Sequence, residues 1–322
     1  HEINSASLRL FIYIYNLTLN QGLILEDTVL RIDKLSKRYG RIRAVDQLDL
    51  TVERGNVYGI LGPNGSGKTT TLGMFLSIIN PDSGSYKWFG NTPSKEDRKR
   101  VGSIVEVPYF YPYLSGLQNL KLFADVKGAS YEGIDTALKI VDLTERKKSR
   151  FKTYSLGMKQ RLAIAAAILG KPEVLILDEP TNGLDPQGIA EMRNLIHRIA
   201  QEGITIILAS HLLDEVQKIC SHVCVLEKGK NIFSGKVVDV LNESEQVEVG
   251  AEDIAAVELI LKDFDKVESI EKENSKLLIQ LSEGLSSVDL NKYLFEKGIV
   301  LSYLTTRKKT LEKHFLELLE NS

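Results

Sequence analysis

The sequence predicts an α/β protein: a parallel sheet joined by helical crossovers, with antiparallel strands before it and a small α+β module after it. Three observations lead there. Apolar runs at residues 56–61, 174–177 and 204–209 suit strands buried on both faces. Between the first run and a helix expected over 70–79 lies Gly62-Pro63-Asn64-Gly65-Ser66-Gly67-Lys68-Thr69, which fits G-x-x-x-x-G-K-[ST] at every position. After residue 243 the pattern changes to short strands alternating with short helices.

The glycine-rich segment carries the most chemistry. Gly62, Gly65 and Gly67 let the backbone curl so that successive N–H groups point at a triphosphate, with Asn64 and Ser66 between them. Lys68 is placed to reach the β- and γ-phosphates, and Thr69 to offer its hydroxyl to Mg²⁺. Thr70 continues into a helix whose N-terminal dipole faces the same anion. The run at 174–177 ends in Asp178-Glu179-Pro180, which sets Asp178 as a magnesium partner and Glu179 as the group that polarises a water. Alone, that run would read as a core strand with a solvated acidic end; with a phosphate loop in the same chain it reads as the second half of a nucleotide site.

Between the two lies Tyr154-Ser155-Leu156-Gly157, opening a helical run. Here the chain resembles the ATP-binding subunits of ATP-binding-cassette (ABC) transporters, in which a Ser/Gly signature opens a helix before the acidic strand. The resemblance implies a P-loop cassette with a parallel core, an antiparallel β-subdomain and a helical subdomain, using ATP and Mg²⁺. It implies that Ser155 and Gly157 grip the γ-phosphate held by another cassette, and that Asp185 in Asn182-Gly183-Leu184-Asp185 belongs to a loop crossing a dimer interface. His211, after the third apolar run, falls where the family places the histidine that holds the γ-phosphate and the attacking water. Tyr39 falls where an aromatic stacks on adenine.

Glu106 occupies a position where most members of the family carry glutamine. A carboxylate there still offers oxygen to Mg²⁺ and to the lytic water, with added negative charge. With Phe110-Tyr111-Pro112-Tyr113 it resembles the bacterial exporters of bacitracin and lantibiotic self-protection; the other reading of Glu106 is a tolerated variant that says nothing of the substrate. That branch implies a cargo of peptide antibiotic or other amphipathic compound and an integral membrane permease as partner. It also implies a homodimer or a paired related cassette, and a cytoplasmic place on the inner face of the membrane. The aromatics Tyr109, Phe110, Tyr111 and Tyr113 have two readings, a docking surface or core packing. The alternative function is a soluble ABC-type ATPase with a non-transport partner. Ribosome-acting members carry two cassettes, and repair ATPases a long insertion before the signature; this sequence has one set of motifs and no such insertion.

Composition sets limits. The 322 residues suit one large domain and one smaller one, and a net charge of −2 gives no footprint for nucleic acid. Cys220 and Cys224 lack the companions that a metal site needs and read as reduced thiols. The expected organisation is an extension at 1–27 outside the fold, a cassette at 28–243 and an accessory domain at 244–322. The run at 8–19 is too short to span a membrane, and an interfacial anchor is the other reading of the extension. Within the cassette, 29–57 alternates as antiparallel strands, while 118–127 and 134–141 have helical spacing. The order β-α-β-β-α-β over 246–304 suggests a ferredoxin-like module, closed by a helix at 311–319 whose role is dimer contact, regulation or stabilisation.

Overall fold

The computed structural model describes residues 27–105, 109–242, 246–264, 266–273, 275–282, 284–307 and Phe315. Residues 1–26 of the extension expected at 1–27 and most of the closing helix expected at 311–319 lie outside the described residues, as does Glu106. The chain forms two compact units that divide between Ser234 and Gly235.

The first unit begins with a long hairpin, β1 (Thr28–Tyr39) and β2 (Ile42–Glu53), with β4 (Ser83–Trp88) antiparallel on the far side of β1. Its core sheet has the order β5-β6-β7-β3-β8-β9, built from β3 (Val57–Leu61), β5 (Val101–Ile104), β6 (Val174–Asp178), β7 (Thr205–Ser210), β8 (His222–Glu227) and β9 (Lys230–Lys236). From β5 through β8 neighbouring strands are parallel. All of β3 and β7 is buried, which is why their sequences are continuously apolar rather than alternating. One hydrophobic cluster runs through both sheets, from Leu30, Leu48 and Val52 to Ile60, Ile176 and Ile207.

The phosphate-loop helix spans Lys68–Phe75, starting earlier and ending sooner than the 70–79 expected from its sequence. It ends because Ser77 turns to φ 56°, while the N–H groups of Ile78 and Ile79 fold back to donate to the Gly73 carbonyl. Trp88, fully buried, donates from Nε1 to the Phe75 carbonyl at 2.9 Å and so pins the antiparallel sheet to this helix.

The helical part carries Gly116–Lys127, Glu132–Ile140 and Leu156–Ile168. The first is fixed at both ends, by a capping box between Ser115 and Gln118 and by Gly128 in the left-handed conformation at φ 64°. Lys127 donates to the Ala166 and Ala167 carbonyls at 2.8 and 3.0 Å, closing the end of the third helix. Burial holds the Lys127 ammonium down to about 8.

The second unit carries β10 (Gln246–Ala251), a helix at Ile254–Lys262, β11 (Val267–Glu273), β12 (Lys276–Leu281), a helix at Ser287–Glu296 and β13 (Leu301–Arg307). Its sheet has the order β11-β12-β10-β13 with every neighbouring pair antiparallel. A separate core of Val247, Val249, Val257, Leu261, Ile279 and Leu290 lies beneath it.

Candidate nucleotide site

Strand register builds the site. Leu61 of β3 lies level with Ser210 of β7, and Asp178 of β6 lies level with Ala209. The residues just beyond these three ends therefore converge: the phosphate loop after Leu61, Glu179 after Asp178, and His211 after Ser210. His211 Nδ1 stands 2.9 Å from Glu179 Oε2, and Lys68 Nζ stands 3.4 Å from Glu179 Oε1. Thr69 donates from its hydroxyl to Asp178 Oδ2 at 3.0 Å. Motifs separated by more than a hundred residues meet within one ring of contacts.

The loop is shaped by its glycines. Gly62 and Gly67 sit at φ 156° and 105°, and a Cβ on either would meet a backbone oxygen, Leu226 O at 2.3 Å or Ala44 O at 2.1 Å. Lys68 is buried and donates to the Gly62 and Pro63 carbonyls at 2.8 and 3.3 Å. Ser66 is buried too, its N–H donating to the Pro63 carbonyl, while its Oγ has no hydrogen-bond partner among the described residues. An unsatisfied buried hydroxyl beside a positive-φ cradle fits a loop made to take an acceptor-rich ligand. Asn64 and Gly65 are exposed, and Thr70 is half-buried on the first turn.

Glu179 is held in the left-handed region at φ 48°, unusual for a side chain of this kind. Its N–H donates to the Ala209 carbonyl at 3.0 Å, and its carbonyl accepts from Asn182 N–H at 3.1 Å. A tight turn thus aims its carboxylate at Lys68 and His211.

The other expected residues are more dispersed. Ser155 caps the helix Leu156–Ile168, accepting from Met158 N–H at 3.3 Å, with Gly157 in the first turn. Asp185 caps the helix Pro186–Gln201 by accepting from Gly188 N–H at 2.8 Å, an intrachain role that sequence alone did not assign to it. Tyr39, 48% exposed, closes the β1–β2 hairpin, the same hairpin whose Ala44 carbonyl abuts Gly67. Glu106 lies outside the described residues; the strand before it, β5, pairs Ile104 with Leu177. The aromatic group divides. Phe110 is buried 5.0 Å from both Phe123 and Phe151, whereas Tyr109, Tyr111 and Tyr113 are 86%, 63% and 74% exposed. Burial drives both Cys220 and Cys224 thiols upward, the latter to about 12, so they are inert at neutral pH.

Comparison with known proteins decides the family. A model described as ABC transporter matches residues 45–182. The chain is 40% identical to the bacitracin transport ATP-binding protein BcrA of Bacillus licheniformis, over 91% of this chain and 97% of that protein. It belongs to the ABC transporter ATP-binding proteins. Another relative of this ABC protein is the lantibiotic transport ATP-binding protein SrtF of Streptococcus pyogenes, 39% identical over 64% of this chain and 90% of that one. Among solved structures it resembles cbiO1 of Clostridium perfringens, part of the ABC transporter complex cbiONQ. The TM-score is 0.61 at 31% identity, covering 74% of this chain and 94% of that one. The chain is therefore a nucleotide-binding ABC ATPase built on a mixed α/β cassette. Among the described residues no helix is long and apolar enough to cross a membrane.

Proposed function

We propose that this ABC ATPase powers a membrane exporter whose cargo is a peptide antibiotic or another amphipathic compound. It would work on the inner face of the membrane with an integral permease. The observation that carries the ATPase reading is the convergence of Lys68, Thr69, Asp178, Glu179 and His211 at level strand ends. The likeness to bacitracin and lantibiotic transport proteins supports the cargo class. The exposed Tyr109, Tyr111 and Tyr113 support a docking surface for the permease beside the helical part.

In this reading the free backbone N–H groups of the loop and first helical turn, from Gly65 and Gly67 to Thr70, cradle the phosphates, with Lys68 on the β- and γ-phosphates and Tyr39 against adenine. Thr69 and Asp178, a hydroxyl and a carboxylate oxygen in mutual contact, suit a hard cation and would hold Mg²⁺. The ion, when bound, offsets the charge of the phosphate oxygens. Glu179 takes the proton of the attacking water, and His211, hydrogen-bonded to it, orients that water and the γ-phosphate. Glu106 would offer an oxygen to the water and to Mg²⁺. Two cassettes, identical or related, close head to tail, with Ser155 and Gly157 of each on the γ-phosphate held by the other and Asp185 in the loop between them. The β-α-β-β-α-β order and the sheet order β11-β12-β10-β13 support a ferredoxin-like reading of the second unit.

The test is Glu179→Gln. We expect MgATP binding within about twofold of wild type and steady-state hydrolysis lowered by about 10² or more, the scale for losing a positioned general base. Wild-type turnover in this variant would falsify the base assignment. Recovered from detergent-solubilised native membranes with ATP, the same variant should bring a multi-span permease with it. Ribosomes or DNA in place of a membrane protein would overturn the transporter reading.

A further inference from the structure

The signature helix Leu156–Ile168 and the turn carrying Glu179 are joined by a side chain that the mechanism above does not use. Gln160 donates from Nε2 to the Asn182 carbonyl at 3.1 Å. A carbonyl can only accept, so the amide must face it with its nitrogen. Asn182 in turn donates its N–H to the Glu179 carbonyl at 3.1 Å, closing the turn that holds Glu179 at φ 48°. On the far side, Glu179 N–H is anchored to Ala209. The strained backbone at Glu179 is therefore clamped from two directions, by β7 and, through Asn182, by Gln160.

Neighbouring contacts run the same way. A Cβ on Gly183 would lie 3.1 Å from Leu156 Cδ2, and Arg161 Nη1 stands 3.6 Å from Glu191 Oε2. The Arg161 pair is partly exposed, with side chains 21% and 45% accessible, and ion pairs of that kind contribute little. Gln160 differs from them. Its Oε1 is buried without a hydrogen-bond partner among the described residues, on a side chain that lines a cavity of about 410 Å³ shared with Asp178, Glu179 and Met192. What the amide supplies is the donor.

We infer that Gln160 is a positioning residue for hydrolysis. Its hydrogen bond to Asn182 holds the Glu179 turn in its left-handed geometry and makes that geometry depend on where the signature helix sits. The inference rests on the reading of Glu179 as the base. In that reading the N-terminus of this helix meets nucleotide held by another cassette, so Gln160 links one site's occupancy to the other site's base.

The test uses the full chain as wild type, Gln160→Met, Gln160→Glu and Glu179→Gln. Met keeps length and loses the donor; Glu keeps shape and presents an acceptor to an acceptor. Both Gln160 variants should bind MgATP within about twofold of wild type, keep the ATP-driven dimer on a sizing column and keep the thermal midpoint. Their kcat should fall by about tenfold to a hundredfold with little change in KM, the scale on which displacing a catalytic group by about 1 Å acts. Gln160→Met at wild-type kcat overturns the inference, even if Gln160→Glu is slow, because added charge and not the lost donor would then be responsible. A fall in kcat that tracks a fall in thermal midpoint also overturns it, since packing would explain both. Wild-type turnover in Glu179→Gln removes the base assignment itself and is read separately from the Gln160 result.

Discussion

At the scale of single residues, the site depends on backbone that side chains other than hydrogen resist. Gly67 is the sharpest case. At φ 105° it caps the phosphate-loop helix, and a Cβ would stand 2.1 Å from the Ala44 carbonyl oxygen. Gly67→Ala should therefore lose stability twice over. Backbone strain at positive φ costs about 1–3 kcal/mol, and relieving the clash must move either the loop or the β2 strand. Gly65 provides the control, because at φ 83° a Cβ there meets nothing within 4 Å. Gly65→Ala should bear strain alone. Urea midpoints and calorimetric titration with MgATP separate the two: Gly67→Ala is expected to lose both stability and nucleotide binding, with Gly65→Ala milder in each. Equal losses in both variants would show that the approach to Ala44 does not matter.

Among elements, the acidic strand β6 is pinned at its start as well as aimed at its end. Glu173, just before Val174, accepts from Arg54 Nη1 at 2.6 Å and from the Arg100 side chain, tying together the turn after β2 and the entries to β5 and β6. The Arg100 guanidinium, seconded by Arg54, draws the Glu173 carboxyl from 4.5 down to about 2. A depressed carboxylate contributes stability that is complete above its unfolded value and lost as pH falls through the folded one, here from about 4.5 to about 2. Glu173→Gln should cost about 1–2 kcal/mol at pH 7, less than the whole shift implies because solvent screens these half-exposed charges. Stability measured against pH should also flatten in that acid window for the variant; an unchanged acid limb would refute the pin. None of this was legible in the sequence, since Glu173 lies 119 and 73 positions from its partners. The chemistry-bearing ends of β3, β6 and β7 were legible, because continuous apolar runs mark buried parallel strands and the motif residues follow them directly. The short strands β4 and β5 were not, for they carry too few apolar residues to show a period. The exposed tyrosines and buried Phe110 share one sequence signature, and only the packing of Phe123 and Phe151 around Phe110 separates them.

For the whole molecule, the decisive property is that, among the described residues, one hydrophobic cluster runs through the cassette sheets and a separate one lies beneath the sheet of the second unit. The second is small but well knit. Its inner strand β10 even buries Glu248, which is held by Lys276 at 3.0 Å and Arg307 at 2.8 Å, a charge that strict alternation would have placed in solvent. Each core is thus a candidate cooperative unit, and every residue proposed for the nucleotide site lies in the first. Binding to a native unit stabilises that unit by RT ln(1 + [L]/Kd), about 2.7 kcal/mol when ligand stands at about a hundred times Kd. Differential scanning calorimetry of the full chain should accordingly resolve two transitions, with saturating MgATP raising one by several degrees and leaving the other in place. In Glu179→Gln, where bound ATP is expected to persist, the separation should widen. A single transition that moves as a whole with nucleotide would mean that the second unit takes its stability from the cassette, and its core would then have to be counted as part of the ATP-binding machine.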